Sequence, residues 1–83
     1  MGSPALRRQG CAAQVLVILH ELLVPWEYRL VRPWYVADRL DIHRVQASRA
    51  IALLASAGLI VAGERAGGYP KYRLPSAGDA AVA

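Results

Sequence analysis

The chain has 83 residues, the size of a single domain, and 55% of them are hydrophobic, which is enough for a small core. Its one cysteine, Cys11, excludes a disulfide framework or a cysteine-based zinc site and fits a reducing compartment. The net charge of +4 is compatible with a polyanionic partner. We expect neither a secretory signal nor a membrane span, because the apolar run over residues 15–19 is short and His20 and Glu21 follow it.

The first predicted helix covers about residues 11–24. Residues 1–9 lack periodicity and are predicted to form a mobile arm. The helix is apolar around most of its circumference, so it needs cover on more than one side, which a second subunit would provide. Its buried stripe, at the spacing i, i+3, i+4, i+7, is predicted to be Val15, Ile18, Leu19 and Leu22. The candidates for a dimer interface are Leu16, Val17, Leu23 and Trp26.

An aromatic linker and a second helix follow. Pro25 ends the first helix, and the alternation of Trp26, Tyr28 and Leu30 with other residues predicts a short extended segment, a candidate edge strand. Pro33 suits the first turn of a helix over residues 33–40. The rings of Trp26, Trp34 and Tyr35 have two interpretations. We favour packing over the core; the alternative is a dimer or partner surface.

Residues 41–43 are predicted to break the chain direction before a third helix over about residues 44–57. Gly58 follows at the position where a helix commonly ends in a left-handed conformation. Residues 59–62 are predicted to form a strand, residues 64–69 a glycine-containing hairpin tip and residues 71–74 the partner strand. The folded domain is expected to span residues 10–75, with residues 76–83 as a flexible tail. The predicted buried face of the third helix comprises Ala47, Ile51 and Leu54.

The opposite face of the third helix is suited to reading DNA bases. At 100° per residue, Val45 and Arg49 point away from the core, with Gln46 and Ser48 on the flanks. Glutamine can bond adenine bidentately, arginine can bond guanine, and valine can contact the methyl group of thymine. These side chains lie in the first turns of the helix, the part that meets base edges in the major groove. The alternative is an ordinary amphipathic helix whose polar face meets water.

The basic residues concentrate in the same region. Within residues 43–74 Glu64 is the only acidic residue, whereas residues 9–42 hold more acidic than basic residues. Such a positive region is typical of a polyanion-binding surface. Charge alone leaves a solvated surface as an equal alternative. The basic residues of this region are Arg44, Arg49, Arg65, Lys71 and Arg73.

In the order and spacing of these elements, residues 33–75 resemble the winged helix-turn-helix family, in particular bacterial regulators of the MarR, ArsR and GntR kinds. The pattern consists of Val36-Ala37-x-x-Leu40-x-Ile42, Ala47-Ser48-Arg49-Ala50-Ile51-x-x-Leu54, Gly58-Leu59-Ile60, Gly67-Gly68 and Tyr72-x-Leu74. The resemblance implies a mainly α domain with a small β-hairpin, built as a three-helix core with a two- or three-stranded wing. It also implies that the third helix enters the major groove and that the wing tip contacts phosphate or the minor groove.

The resemblance also implies a set of site residues. At the cap of the third helix this family usually has Ser or Thr, whereas this chain has His43, which we expect to cap less well. The recognition residues implied by position are Arg44, Val45, Gln46, Ser48 and Arg49. The implied wing contacts are Arg65, Gly67, Gly68, Lys71 and Arg73.

The expected function is therefore that of a small transcription regulator, a repressor rather than an activator, that binds double-stranded DNA. As a homodimer it would read a pseudo-palindromic site. We expect a cytoplasmic, nucleoid-associated protein of bacterial or phage origin. Two alternatives remain: a winged-helix protein–protein interaction module, and a phage or plasmid protein that acts on DNA in replication or excision.

Other functions find little support in the sequence. Ser48 has no neighbouring base to activate it, so we expect no enzyme activity. His20 and His43 are isolated, so no metal site is expected. Gly67-Gly68 lacks the Lys-Ser/Thr that follows the glycines of a P-loop. We expect no cofactor and no small-molecule ligand.

Overall fold

The computed structural model describes the backbone of residues 4–77 and the side chains of residues 11–65 and 67–77. It is a small α/β domain of three helices and a three-stranded antiparallel sheet with the strand order β1-β3-β2. This architecture is compatible with the predicted class. The elements are α1 (Pro4–Leu22), β1 (Arg29–Leu30), α2 (Pro33–Leu40), α3 (Arg44–Ser56), β2 (Val61–Ala66) and β3 (Tyr69–Arg73).

α1 begins earlier than the sequence pattern indicates. It starts at Pro4 rather than near Cys11, so residues 4–9, which were predicted to belong to the arm, are helical. Proline is tolerated in the first turn of a helix, and the Ala, Leu, Arg and Gln residues that follow have high helix propensity. Propensity therefore extends the helix beyond its apolar stripe. Residues 1–3 of the predicted arm and 78–83 of the predicted tail lie outside the described residues.

The core forms where α1 and α2 pack on α3 and on the inner face of the sheet. In α1 the predicted stripe is correct for Val15, Ile18 and Leu19. Leu22 is only half-buried, and Leu23 takes its place at 3% exposure. The Leu23 N–H donates to the Leu19 carbonyl oxygen at 2.8 Å, which extends the helical turn. Leu23 therefore belongs to the core and is removed from the dimer-interface candidates.

Local sequence signals set the bounds of α2 and α3. α2 begins at Pro33, as predicted, and ends where Asp41 adopts the left-handed conformation with φ of 54°. Gly58 has φ of 77° after α3. The Leu59 N–H then donates to the Leu54 carbonyl oxygen at 3.0 Å, which satisfies a carbonyl of the last turn. The predicted inner face of α3 is confirmed, and Ala50 joins it; its buried residues are Ala47, Ala50, Ile51 and Leu54.

The hairpin is longer and its turn is tighter than predicted. β2 begins at Val61 and continues to Ala66, so the turn consists of Gly67 and Gly68 alone. These glycines have φ of 61° and 86°, which suits a two-residue type I′ turn, where both residues need positive φ. β1 pairs with β3 antiparallel, so the extended segment after Pro25 forms an edge strand, as predicted.

A β-bulge in β2 creates an unusual contact on the sheet. The bulge lies between Ala62 and Arg65, where Gly63 and Glu64 stand opposite one residue of β3. A Cβ atom on Gly63 would lie 2.5 Å from Cδ1 of Tyr28, so the tyrosine ring covers the glycine directly. The linker before β1 is thus held on the hairpin by a contact that only glycine permits.

We expect Gly63→Ala to lower the free energy of unfolding by about 1–3 kcal/mol, because the added methyl group overlaps the Tyr28 ring. Urea denaturation measures the loss. In a Tyr28→Ala background the same substitution should cost much less, since the ring is absent. An equal cost in both backgrounds would show that the strain comes from the bulge backbone instead.

Candidate nucleic-acid interface

The first two turns of α3 present the predicted recognition residues to solvent. The helix buries its alanine and aliphatic side against the core, which leaves the other side exposed. The exposed side chains of these turns are Arg44, Val45, Gln46, Ser48 and Arg49, so the structure brings the whole predicted set together on one end of one helix.

The α3 N-terminus is capped reciprocally. His43 Nδ1 accepts a hydrogen bond from the Val45 N–H at 3.2 Å, and the His43 N–H donates to Gln46 Oε1 at 3.1 Å. His43 therefore forms a complete cap at a position where the sequence predicts a weaker one than Ser or Thr would give. The reason is stereochemical: Nδ1 is bonded to Cγ, the same position along the side chain as the oxygen of Asp or Asn, which are favoured caps.

This cap changes the role of Gln46. A bidentate contact with adenine needs both the amide oxygen and the amide nitrogen of glutamine. In the structure the oxygen accepts from the backbone N–H of His43, so the side-chain amide is held against the start of α3. Gln46 therefore stabilises the first turn of α3, and it would reach a base only in the orientation that this hydrogen bond allows.

We expect His43→Ala to lower the free energy of unfolding by about 0.5–2 kcal/mol, because it leaves the Val45 N–H without its acceptor. His43→Asn should retain most of the stability, since its side-chain oxygen occupies the position of Nδ1. Thermal unfolding of the three proteins compares them. If the asparagine variant loses as much as the alanine variant, the imidazole acts through packing and not through its hydrogen bond.

The hairpin places its predicted contacts at different distances from the turn. Gly67 and Gly68 form the exposed tip, Arg65 lies beside it in β2, and half-buried Lys71 lies farther along β3. Arg73 lies at the opposite end of β3. Its guanidinium carbon is 5.2 Å from the centroid of the Tyr28 ring. Its Nη1 donates a hydrogen bond to the Leu74 carbonyl oxygen at 3.1 Å. The structure thus separates Arg73 from the tip.

Four cations of α3 and the hairpin form no ion pair among the described side chains. Within residues 11–77, Arg29 Nε lies 2.8 Å from Glu27 Oε1 and Arg39 Nη2 lies 3.2 Å from Glu21 Oε2. Arg39 donates hydrogen bonds to the Tyr35 hydroxyl and to Glu21. Both raise the pKa of its guanidinium above the ordinary value, and the bond to Tyr35 has the larger effect. Among the described side chains, no carboxylate lies within 4.0 Å of Arg44, Arg49, Arg65 or Lys71.

The start of α2, the start of α3 and one hairpin residue border an open cleft of about 300 Å³. Two aromatic side chains, Trp34 and Tyr69, line it and are 46% and 44% exposed. Sequence reasoning did not select either as a site residue, although Tyr69 directly follows the Gly-Gly turn and Trp34 lies in the first turn of α2. The complete lining is Pro33, Trp34, His43, Arg44, Val45, Ser48 and Tyr69.

The linker rings do not pack over the core, contrary to the interpretation favoured from sequence. Trp26 is 78% exposed and Tyr35 is 37% exposed. The rings of Trp34 and Tyr35 instead contact each other edge to face, with centroids 6.4 Å apart. The buried core consists of aliphatic residues and Tyr72. A second groove, of about 430 Å³ and mainly apolar, is lined by Leu22, Arg29, Leu30, Val31, Arg32, Trp34 and Tyr35.

The comparisons with known proteins add no family to this picture: no protein-family model matches the chain, and a search of curated proteins found no relative. Across residues 4–77, none of the helices is both long enough and apolar enough to cross a membrane. In the same part of the chain, no three His, Cys, Asp or Glu side chains are grouped so that they can hold a metal ion.

Proposed function

We propose that the protein is a winged helix-turn-helix transcription regulator that binds double-stranded DNA in a sequence-specific manner. α3 would enter the major groove, and the hairpin would serve as the wing, with its Gly67-Gly68 tip beside the sugar–phosphate backbone. The observation that carries this proposal is the arrangement of four cations without ion pairs among the described residues, Arg44 and Arg49 on the exposed end of α3 and Arg65 and Lys71 on the adjoining strands. Such a surface attracts a polyanion.

The side chains of α3 divide into base readers and phosphate contacts. The major groove is about 12 Å wide and admits a helix. Arg49, one turn into α3 on its exposed face, is suited to the O6 and N7 acceptors of guanine. Val45 is suited to a thymine methyl group, and the Ser48 hydroxyl can donate or accept. Arg44, Arg65 and Lys71 would neutralise phosphates.

A homodimer would double this surface. Of the interface candidates, Val17 is 61% exposed, Trp26 is 78% exposed and Leu16 is half-buried, so Val17 and Trp26 present the larger apolar areas. Two recognition helices set about 34 Å apart would read half-sites one helical turn apart, a pseudo-palindrome. Occupancy of such a site would block a promoter, which is the action of a repressor.

The salt dependence of binding tests the proposal. If Arg44, Arg65 and Lys71 each neutralise one phosphate, the plot of log affinity for duplex DNA against log salt concentration should have a slope of about −2.7 per protomer. Fluorescence anisotropy with a labelled pool of random-sequence duplexes, at salt concentrations of about 50 to 200 mM, measures it. A flat dependence, or no binding by the folded chain, would reject DNA binding through this surface.

A specific observation favours a second candidate, a protein–protein interaction module. The mainly apolar groove of about 430 Å³ has the exposed Leu30 in its lining, and Trp26, in the linker before it, is 78% exposed. Aromatic side chains of this kind are enriched in protein interfaces. Failure of duplex binding by a folded chain would favour this candidate.

A further inference from the structure

We propose that the cleft between α3 and the hairpin, hereafter the aromatic cleft, binds a single unpaired nucleotide within DNA. The protein would then prefer a duplex with one unpaired base over a fully paired duplex. The inference rests on the proposed function, because Arg44, Val45 and Ser48 belong both to the cleft and to the recognition end of α3.

Two exposed aromatic side chains line the cleft. Trp34 and Tyr69 come from different elements, α2 and β3, yet they line one cleft, and each stays nearly half exposed. In a paired duplex both faces of a base are covered by its neighbours, so an aromatic side chain has no face to stack on. An unpaired base offers its faces, and each such stacking contact contributes about 1–3 kcal/mol in proteins that bind single strands.

The polar groups of the cleft match the rest of a nucleotide. Because His43 Nδ1 accepts the Val45 N–H, the neutral imidazole carries its proton on Nε2, which is a donor without a partner among the described residues. Arg44 adds a guanidinium without an ion pair there, and Ser48 adds a hydroxyl. A base edge carries acceptors and the phosphate carries negative charge, so both find complementary groups.

The size of the cleft suits a small occupant. Its volume of about 300 Å³ lies at the lower end of the range for small-molecule sites, about 300–1,000 Å³. One base with part of its sugar matches this volume. Because the cleft is open to solvent, such a base can remain attached to a strand whose remaining duplex contacts α3.

Trp34 can report directly on occupancy. The chain has two tryptophans, so Trp26→Phe leaves Trp34 as the only one. We would titrate this variant with three probes: a 20-base-pair duplex pool of mixed sequence, the same pool with one central unpaired thymine, and thymidine 5′-monophosphate. The unpaired thymine should quench Trp34 and tighten binding by about 5- to 150-fold relative to the paired pool.

Matched variants separate stacking from general effects. Tyr69→Leu should remove the preference for the unpaired thymine while affinity for the paired pool is unchanged, and Tyr69→Phe should keep it. Tyr28→Leu changes an exposed tyrosine outside the cleft and should also keep it. Because the phenylalanine variant preserves the ring, it remains informative even if the leucine variant unfolds.

The outcomes distinguish this inference from the proposed function. Equal affinity for paired and unpaired pools, without quenching of Trp34, would overturn the nucleotide site and leave duplex binding intact. Absence of binding to either pool would overturn both. Quenching by thymidine 5′-monophosphate without any preference among the DNA pools would overturn the DNA-borne ligand and identify a free nucleotide as the occupant.

Discussion

Replacing Arg49 with alanine is expected to weaken binding to the preferred duplex by about 5- to 150-fold, which corresponds to about 1–3 kcal/mol. The guanidinium lies on the exposed face of α3, with Ala50 and Ile51 behind it in the core, and no carboxylate holds it among the described residues. Its loss should relax discrimination at one base pair. Competition between the preferred duplex and single-base variants measures this effect.

Arg39→Ala is the matched control for Arg49→Ala. It removes the same charge, but Arg39 is already paired with Glu21, and exposed pairs of this kind contribute about 0–1 kcal/mol to stability. Binding should therefore change little. If Arg49→Ala weakened every duplex equally, Arg49 would contact phosphate only; if the control weakened binding as much, net charge and not the α3 surface would explain affinity.

Replacing Leu19 with alanine is expected to lower the free energy of unfolding by about 2–5 kcal/mol. Leu19 is fully buried, at 0% exposure, among residues of all three helices. A domain of this length has a total stability of about 4–12 kcal/mol at the usual value per residue, so the variant loses a large part of it. Urea denaturation or a thermal melt measures the loss, and the melting temperature should fall by roughly 10–30 °C.

Val17→Ala on the same helix is the control for this cavity. Val17 is 61% exposed, so truncating it removes little buried surface and should change stability by less than about 0.5 kcal/mol. A cost as large as that of Leu19→Ala would show that Val17 is buried in solution. The concentration dependence of the melt would then identify a dimer interface on α1, because dimer stability depends on protomer concentration.

The parts of the fold that the sequence predicts well are those set by local chemistry. Pro33 can begin a helix and cannot continue one, and Gly58 can adopt the positive φ that ends α3. The inner face of α3 follows from its helical period. The positions of Ala47, Ile51 and Leu54 were predictable because each signal lies within one or two turns of its effect.

The remaining features depend on contacts between distant residues. Tyr69 reaches the aromatic cleft only because the two-residue turn folds β3 back towards α3, and no periodicity encodes that approach. In the sequence nothing links Arg73 to Tyr28, which lies 45 positions earlier. In the structure the guanidinium of Arg73 nevertheless lies over the Tyr28 ring. The cap of α3 by His43 is local, but a preference scale for capping residues ranks the residue type and not the position of its Nδ1 atom.

On the proposed function, the Gly67-Gly68 turn would also limit how much DNA one protomer can cover. β3 has five residues, so at about 3.3 Å per residue the hairpin projects roughly 17 Å from its base. No loop residues extend it further, because the strands pair up to Ala66 and Tyr69. Such a hairpin would reach roughly half a helical turn of DNA from its base, since one full turn spans about 34 Å.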